Sequence, residues 1–523
     1  MELTSQRRVG GRSLLGIVFA MLLVSTACSG GTPSASPSNA SGAPAGSTSI
    51  TIVQGYLPKA IDPAFDTSLF ATATYTYMFD TLVKVDASGN ATPNLATSWS
   101  NPDPTTWQFK LRSGVKFHNG EVFDAAAAKY SIDRIKDPAT KSVWATRLAP
   151  ITNVTAPDAG TLVLKTDRPF AGMPQALTVI FMVPPAFTQQ AGVTGFAEKP
   201  VGTGPFKFSS FKVDDRLVME ANPDYFGGAA KLKQVTIRVM PEEAARVAAL
   251  QSGEAQIVFP VSPDQAASIA KDTRFKTPTV DLGQSLVIVL RATSDSPMSN
   301  KLVRQALNYA IDKQTLSKSL MQGQGRLLDG QLVGPTSFGY NPDVKGYPYD
   351  PQKAKQLLTE AGYPNGFTIQ FQGPQGRYPN DVQIGQAIAN QLGQVGVKTT
   401  YEVVESSQFT TLFVGGKFAP LFKFGWNIAP SMSVDQAFSF QTTSSSIKIL
   451  ADPKFDELYV QQSSELDVAK RKALLQQMAV IFRDDAPCLF LWEIPLSFGV
   501  ASGLSGFAAH ADGTLDLLKI LGP

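Results

Sequence analysis

The hydrophobic and polar positions from residue 50 onward switch period repeatedly, from two to about 3.6 and back. "TTWQFKLRSGVKF" sets Trp107, Phe109 and Leu111 at every second position, which predicts a strand with one buried face. "KQVTIRVM" repeats the alternation with Val235, Ile237 and Val239, and "EEAARVAALQSG" then predicts a helix closed by Gly253. The clearest helix lies in "YDPQKAKQLLTEAGYPNG". Asp350 is its N-cap, Pro351 its first residue, Ala354, Leu357, Leu358 and Ala361 its apolar stripe, and Gly362 its stop. "FTIQF" follows as a strand, then a helix over about 380–394, then the strand "VKTTYEVV". "NGEVFDAAAAKYSIDRIKDP" reads as another helix, entered near Asp124. Strands interleaved with amphipathic helices predict an α/β architecture. No repeat of solenoid length is present.

The N-terminal stretch follows another logic. Arg7, Arg8 and Arg12 precede the apolar run "LLGIVFAMLLV" (14–24), which is too short for an ordinary membrane helix, and Ser25, Thr26 and Ala27 lead to Cys28. Residues 1–27 are expected to be a signal peptide. "STAC" resembles the end of a bacterial lipoprotein signal, with Cys28 as the lipidated residue; simple secretion with cleavage near Ala27 is the alternative. "SQRRVGG" lacks the apolar residues that twin-arginine export needs after the pair. Residues 28–49 form a Gly/Ser/Pro/Ala tract with no large apolar side chain, a tether of roughly 25 Å as a coil.

Composition narrows the function. At 523 residues the chain exceeds what one core usually supports, so two or three lobes are expected. Without residues 1–27 it carries 43 basic and 42 acidic residues, a net charge of +1 that lacks the excess of a nucleic-acid binder. His118 and His510 are isolated in sequence, and Cys488 has no partner once Cys28 is lipidated, so neither a zinc site nor an intrachain disulfide is indicated. Cys488, flanked by apolar residues, reads as a buried small hydrophobe. There is no H-E-x-x-H, G-x-S-x-G, P-loop or dinucleotide fingerprint, and "VGTGPF" lacks the Lys-Ser/Thr ending of a phosphate loop. No enzyme, cofactor or metal is predicted, although a pair of carboxylates of the glycosidase kind is open to any chain this size.

Five segments in order carry a resemblance: "LPKAIDPAFD", the stretch from "YMFDTLVKVDASGN" to "KFHNGEVFDAAAAKYSIDRI", "PVGTGPFKFSSFKVDDRLVMEANPDYFGG", "RQALNYAIDKQTL" and "DPQKAKQLLTEAGYPNGF". Together they resemble the family 5 extracellular solute-binding proteins, the receptors of peptide, nickel and opine ABC importers. The resemblance covers the chain from about residue 50 to the end. It implies a periplasmic-binding-protein-like α/β clamshell with an extra inserted lobe, two large lobes joined by a hinge. Lobe I would comprise residues 50–80, 197–285 and 487–523, lobe II 81–196 and lobe III 286–486. The ligand would be enclosed between lobes I and III by hinge closure. His118, in "KFHNGEVF", is then scaffold.

The resemblance also implies ligand contacts. Trp426 in "LFKFGWNIAPSMSVDQAF" offers a rigid aromatic face, with ordinary core as its alternative. Asp435 is a candidate for a cationic or polar head, with an exposed loop acid as its alternative. Arg291, at the entry to lobe III, and Arg377, in a loop facing the cleft, could each clamp a carboxylate or phosphate, or could make surface or interlobe ion pairs. Asp62, Phe65 and Thr203 lie on family segments near the cleft, with turn or packing roles as their alternatives. One departure matters. Peptide receptors of the family usually carry an aspartate three residues after the tryptophan, pairing with the peptide ammonium; here that position is Ala429. Either another acid takes over, or the ligand has no free amine there.

The expected function is a membrane-anchored receptor, at the outer face of the cytoplasmic membrane or in the periplasm. As a monomer it would deliver an oligopeptide or dipeptide-like solute to permease subunits, with no nucleic acid involved. Oligosaccharides, opines and nickel chelates are the alternative cargoes. A sensing lipoprotein and a secreted hydrolase are the alternative classes.

Overall fold

The computed structural model describes residues 48–522, apart from 376, 406, 407, 410, 411, 413–415, 430 and 446; the signal peptide, Cys28 and nearly all of the tether lie outside the described residues. Eleven strands of the described residues form one sheet. From one edge they run Val397–Glu405, Phe367–Gln375, Leu421–Asn427, Thr279–Leu290, Cys488–Ala501, Ile257–Val261, Ser49–Gln54, Gln234–Val239, Arg216–Ala221 and Phe206–Lys212, with Phe275–Lys276 also on Cys488–Ala501.

Two long strands join the halves of this sheet. Thr279–Leu290 and Cys488–Ala501 pair antiparallel, in register over Thr279–Asp281 and again from Ser285, with a shift between. The Ser285–Leu290 part also pairs with Leu421–Asn427, whereas the late part of Cys488–Ala501 pairs with Ile257–Val261. The sequence "CLFLWEIPLSFGV" is buried at every position, as expected of a strand covered on both faces. One apolar cluster packs beneath the Ser49–Gln54 half, around Tyr75, Phe79, Phe206 and Phe498. Two others cover opposite faces of the other half, one around Phe422, Phe482 and Phe490 and one around Leu307, Phe371 and Trp492.

A separate four-stranded antiparallel sheet runs Ala96–Asp103, Thr106–Leu111, Thr161–Thr166, Ile151–Asp158. Trp107, Phe109 and Leu111 face inward as their alternation predicts, against the helix Ala125–Lys136. Asp124 caps that helix, its Oδ1 accepting from the Ala127 N–H at 3.0 Å. The helices Glu243–Gln251, Pro351–Glu360 and Asp381–Gln394 lie where the periodicity put them; Asp350 caps the second, and Gly362, at φ 92°, follows its end. The α/β fold read from the sequence is the one observed.

His118 clips this small sheet to the large one. Its Nδ1 accepts from the Gly202 N–H at 3.4 Å, which leaves the proton on Nε2 to be donated to the Gly204 carbonyl at 3.0 Å. Burial holds the imidazole pKa at about 4. A base whose folded pKa lies below its ordinary value stabilises the fold above about pH 6.5, and that contribution is lost as pH falls toward 4. The full effect is about 3 kcal/mol at most. The urea midpoint of the protein should therefore fall between pH 6.5 and 4.5. His118→Gln, which keeps a donor and an acceptor but cannot titrate, should remove that part of the fall.

Candidate functional site

The strand Ser49–Gln54 lies between two parallel neighbours, Gln234–Val239 and Ile257–Val261. The loop leaving its carboxyl end therefore occupies the kind of switch point where α/β proteins bind ligands. Asp62 anchors that loop. Its carboxylate, 0% exposed, takes both guanidinium Nη atoms of Arg134, one at 3.1 Å, and also accepts from the Ala64 N–H. The loop is next tied to the small-sheet body: the Ala64 carbonyl accepts from Ser142 Oγ and the Val143 N–H, and Trp144 Nε1 donates to the Pro63 carbonyl at 2.9 Å. Beyond the tie, Tyr56 donates its hydroxyl proton to Asp66 Oδ2, while Asp66 Oδ1 accepts from the Ser68 N–H.

The opposing wall grows from the strand Leu421–Asn427, whose alternation sets Phe422, Phe424 and Trp426 on one face. Trp426 is 3% exposed and stands opposite Ser285, which in turn stands opposite Glu493. Its ring lies 4.7 Å from that of Phe424 and 5.3 Å from that of Phe440, which is exposed. The Arg377 guanidinium sits 5.9 Å from the Phe424 and Phe409 rings, and its Nε donates to the Tyr378 hydroxyl at 3.1 Å. Such stacking fixes the direction of a guanidinium at little entropic cost. Asp435 accepts from Arg471 Nη2 at 2.8 Å, and Arg471 also reaches Gln462 and the Ala171 carbonyl. Gln436 Oε1 accepts from Ser431 Oγ at 2.9 Å and from Arg147 Nη2 at 3.0 Å, which joins this wall to the loop holding Trp144.

A continuous chain of contacts thus links residues 56–66, 142–147, 424–440 and Arg377. It brings together Trp426, Arg377 and Asp435, with Asp62 and Phe65 on the loop across from them. Asp62 is nevertheless sealed into its pair with Arg134, and the half-buried Phe65 packs beneath the same guanidinium, 6.0 Å away. Two of the expected contacts lie apart from this chain, in packing roles. Ser285 pairs with Trp426 and Leu290 with Leu421, so Arg291 follows the far end of the strand, about 20 Å along it from the Trp426 position. There its Nη1 donates to the Phe418 carbonyl at 2.8 Å. Thr203, 1% exposed, donates to Asp80, which also accepts from Tyr225 and Asn94, all away from the chain of contacts.

Sequence reasoning missed Arg134, Arg147, Arg471 and Gln436. Only Arg134 had a signal, since it continues the buried stripe of Ala127 and Ser131 at helical spacing. Lys423 was missed too. It is 0% exposed, on the face of the strand opposite Trp426, donating to the Asp381 carbonyl, and burial draws its pKa down to about 7. Lys423→Met should raise the urea midpoint at pH 7, by about 1–4 kcal/mol in unfolding free energy, and the gain should shrink toward pH 10.

The fold defines the class. The chain superposes on HbpA2 from Haemophilus parasuis with a TM-score of 0.81, covering 91% of this chain and 100% of that one at 23% identity. It matches the periplasmic binding protein DppA from Helicobacter pylori, in complex with peptide STSA, with a TM-score of 0.72 at 25% identity over 90% and 98% of the two chains. In sequence it is 32% identical to the glutathione-binding protein GsiB of Pectobacterium atrosepticum, over 80% of this chain and 83% of that protein. The model for bacterial extracellular solute-binding proteins, family 5 (middle), matches residues 90–448. The chain belongs to that family: it is an ABC-importer substrate-binding protein of the extracellular or periplasmic kind, not an enzyme. No helix of the described residues is long and apolar enough to cross a membrane.

Proposed function

We propose that the protein captures a peptide-like solute, an oligopeptide or dipeptide-like compound, by hinge closure and delivers it to the permease. It does so as a monomer, held at the outer face of the cytoplasmic membrane by a lipid on Cys28. Lobe I (50–80, 197–285, 487–523) and lobe III (286–486) close on the ligand, and lobe II (81–196) braces them. The register break between Asp281 and Ser285, in the strand pair common to both halves of the sheet, supports a hinge there. The aromatic run of Phe424, Trp426 and Phe440, with the Arg377 guanidinium stacked on Phe424, carries the reading. An amide backbone packs on aromatic faces, and a fixed guanidinium favours a carboxylate-bearing ligand. The relative named for glutathione, a tripeptide, favours the same class.

Isothermal titration of the purified full-length protein with glutathione and tri-alanine tests the cargo. Stoichiometric binding of either without turnover is expected, with Trp426→Ala weakening it by more than about tenfold. No binding of either, or release of a sugar or metal chelate on denaturation, would exclude the peptide class. Cys28→Ala should move the protein from the membrane fraction to the soluble fraction.

A further inference from the structure

The segment after helix Lys313–Leu320 runs along the strand Cys488–Ala501. Its far end is laddered. The Leu328 N–H donates to the Leu491 carbonyl at 3.0 Å, Leu327 bridges Trp492, and the Glu493 N–H donates to the Arg326 carbonyl at 2.8 Å. The Arg326 guanidinium adds an ion pair with the Glu493 carboxylate at 2.9 Å. Trp492 and Glu493 stand opposite Leu286 and Ser285, after the register break, so this end belongs to the half of the sheet that carries Leu421–Asn427. Thr279–Leu290 holds the other edge of these residues, so the segment lies on the edge that Ile257–Val261 takes farther along.

The near end reaches the other half. The Arg326 N–H donates to Asp281 Oδ1 at 3.3 Å, before the break. Gln324 Oε1 accepts from Ser497 Oγ at 2.8 Å, and Ser497 Oγ, its proton so used, accepts from Thr279 Oγ1 at 2.9 Å. Gln322 Nε2 donates to Asp264 Oδ1 at 2.7 Å, on the helix Pro263–Ile269 that follows Ile257–Val261. The backbone is shaped for this course: Gln322, Gly323 and Gly325 have positive φ, and a Cβ at Gly325 would lie 2.6 Å from the Glu493 carbonyl oxygen.

The two attachments are unequal. Toward Leu421–Asn427 the segment has a backbone ladder and an ion pair; toward the other half it holds on by side-chain hydrogen bonds at or near the surface. If the halves rotate about the break, the second set gives way first.

We propose that residues 322–326 are an interlobe clasp, which holds the two halves in their present orientation and so sets ligand affinity without contacting the ligand. This rests on the hinge-closure reading above. Breaking the clasp changes the fraction of protein in each orientation, and affinity follows that fraction.

The test places spin labels at the two edges of the large sheet, on Val213→Cys beside Phe206–Lys212 and on Val403→Cys in Val397–Glu405, both exposed. In the full-length protein, Cys28→Ala and the burial of Cys488 leave only these thiols to react. Gln322→Glu, which sets a like charge against Asp264, should shift the ratio of label spacings by about two- to fivefold. Adding Asp264→Asn, which exchanges donor and acceptor, should restore it. Amide hydrogen exchange reads openings too rare for the labels: the Arg326 N–H should exchange about two- to fivefold faster in Gln322→Glu, and the Leu328 N–H should not. Unchanged spacings and exchange, a change that Asp264→Asn fails to restore, or equal acceleration at Leu328 would each overturn the clasp. These measurements need no ligand. Glutathione and tri-alanine then separate the clasp from the hinge. A peptide that shifts the spacing where Gln322→Glu does not would overturn the clasp and keep the hinge. A peptide that binds and leaves the spacing unchanged would overturn hinge closure, and with it the clasp's hold on affinity.

Discussion

The pairing of Thr279–Leu290 with Cys488–Ala501 is the constraint on which the rest depends. Every other strand of the large sheet is added to one side of this pair or the other, so the two halves communicate through it. Its ladder is interrupted by register shifts between Asp281 and Ser285 and between Leu286 and Val287, with paired residues on either side. The seam is also reinforced. Glu493 on one strand accepts from Arg326 at 2.9 Å, and the Arg326 N–H reaches Asp281 on the other. Arg326 thus spans the break, and burial raises the pKa of both carboxylates.

Buried arginines do a second job away from the seam. Arg134 fixes the first-strand loop through Asp62, and Arg471 fixes the far wall through Asp435. Arg304, 4% exposed, satisfies the carbonyls of Met298 and Asp485 at 2.8 Å each. A guanidinium presents five donors in a rigid plane, so one side chain can tie several carbonyls of irregular segments that lack a ladder of their own. The loops they tie have no ladder to satisfy their carbonyls. These pins hold them in place without regular structure.

What the sequence made legible follows from how local each feature is. The helix Pro351–Glu360 could be read to within a residue because cap, stripe and stop all fall between Asp350 and Gly362. Trp107, Phe109 and Leu111 declared their sheet by alternation. For Asp62 the sequence left ligand contact and a packing role open, since its partner is 72 residues away and only the fold brings them together. Arg291 could not be placed for a reason of extent: nothing local says whether a residue begins or ends a twelve-residue strand. Lys423 illustrates the opposite failure. An isolated lysine among "LFKFGWN" reads as the solvent face of an alternating strand, yet helix Asp381–Gln394 covers that face and its Asp381 carbonyl accepts the lysine's hydrogen bond.

The same reasoning explains why a chain this large shows so little reactive chemistry. In a receptor, work is done by closure, so binding energy must appear only when both walls reach the ligand. Side chains that meet this demand are aromatic faces and charges already oriented before the ligand arrives, not nucleophiles or metals. Pairing Asp62 with Arg134 and Asp435 with Arg471 neutralises the charges that hold the loops. Charge left uncompensated after that pairing is where a ligand gains most, because no internal partner has to be displaced first.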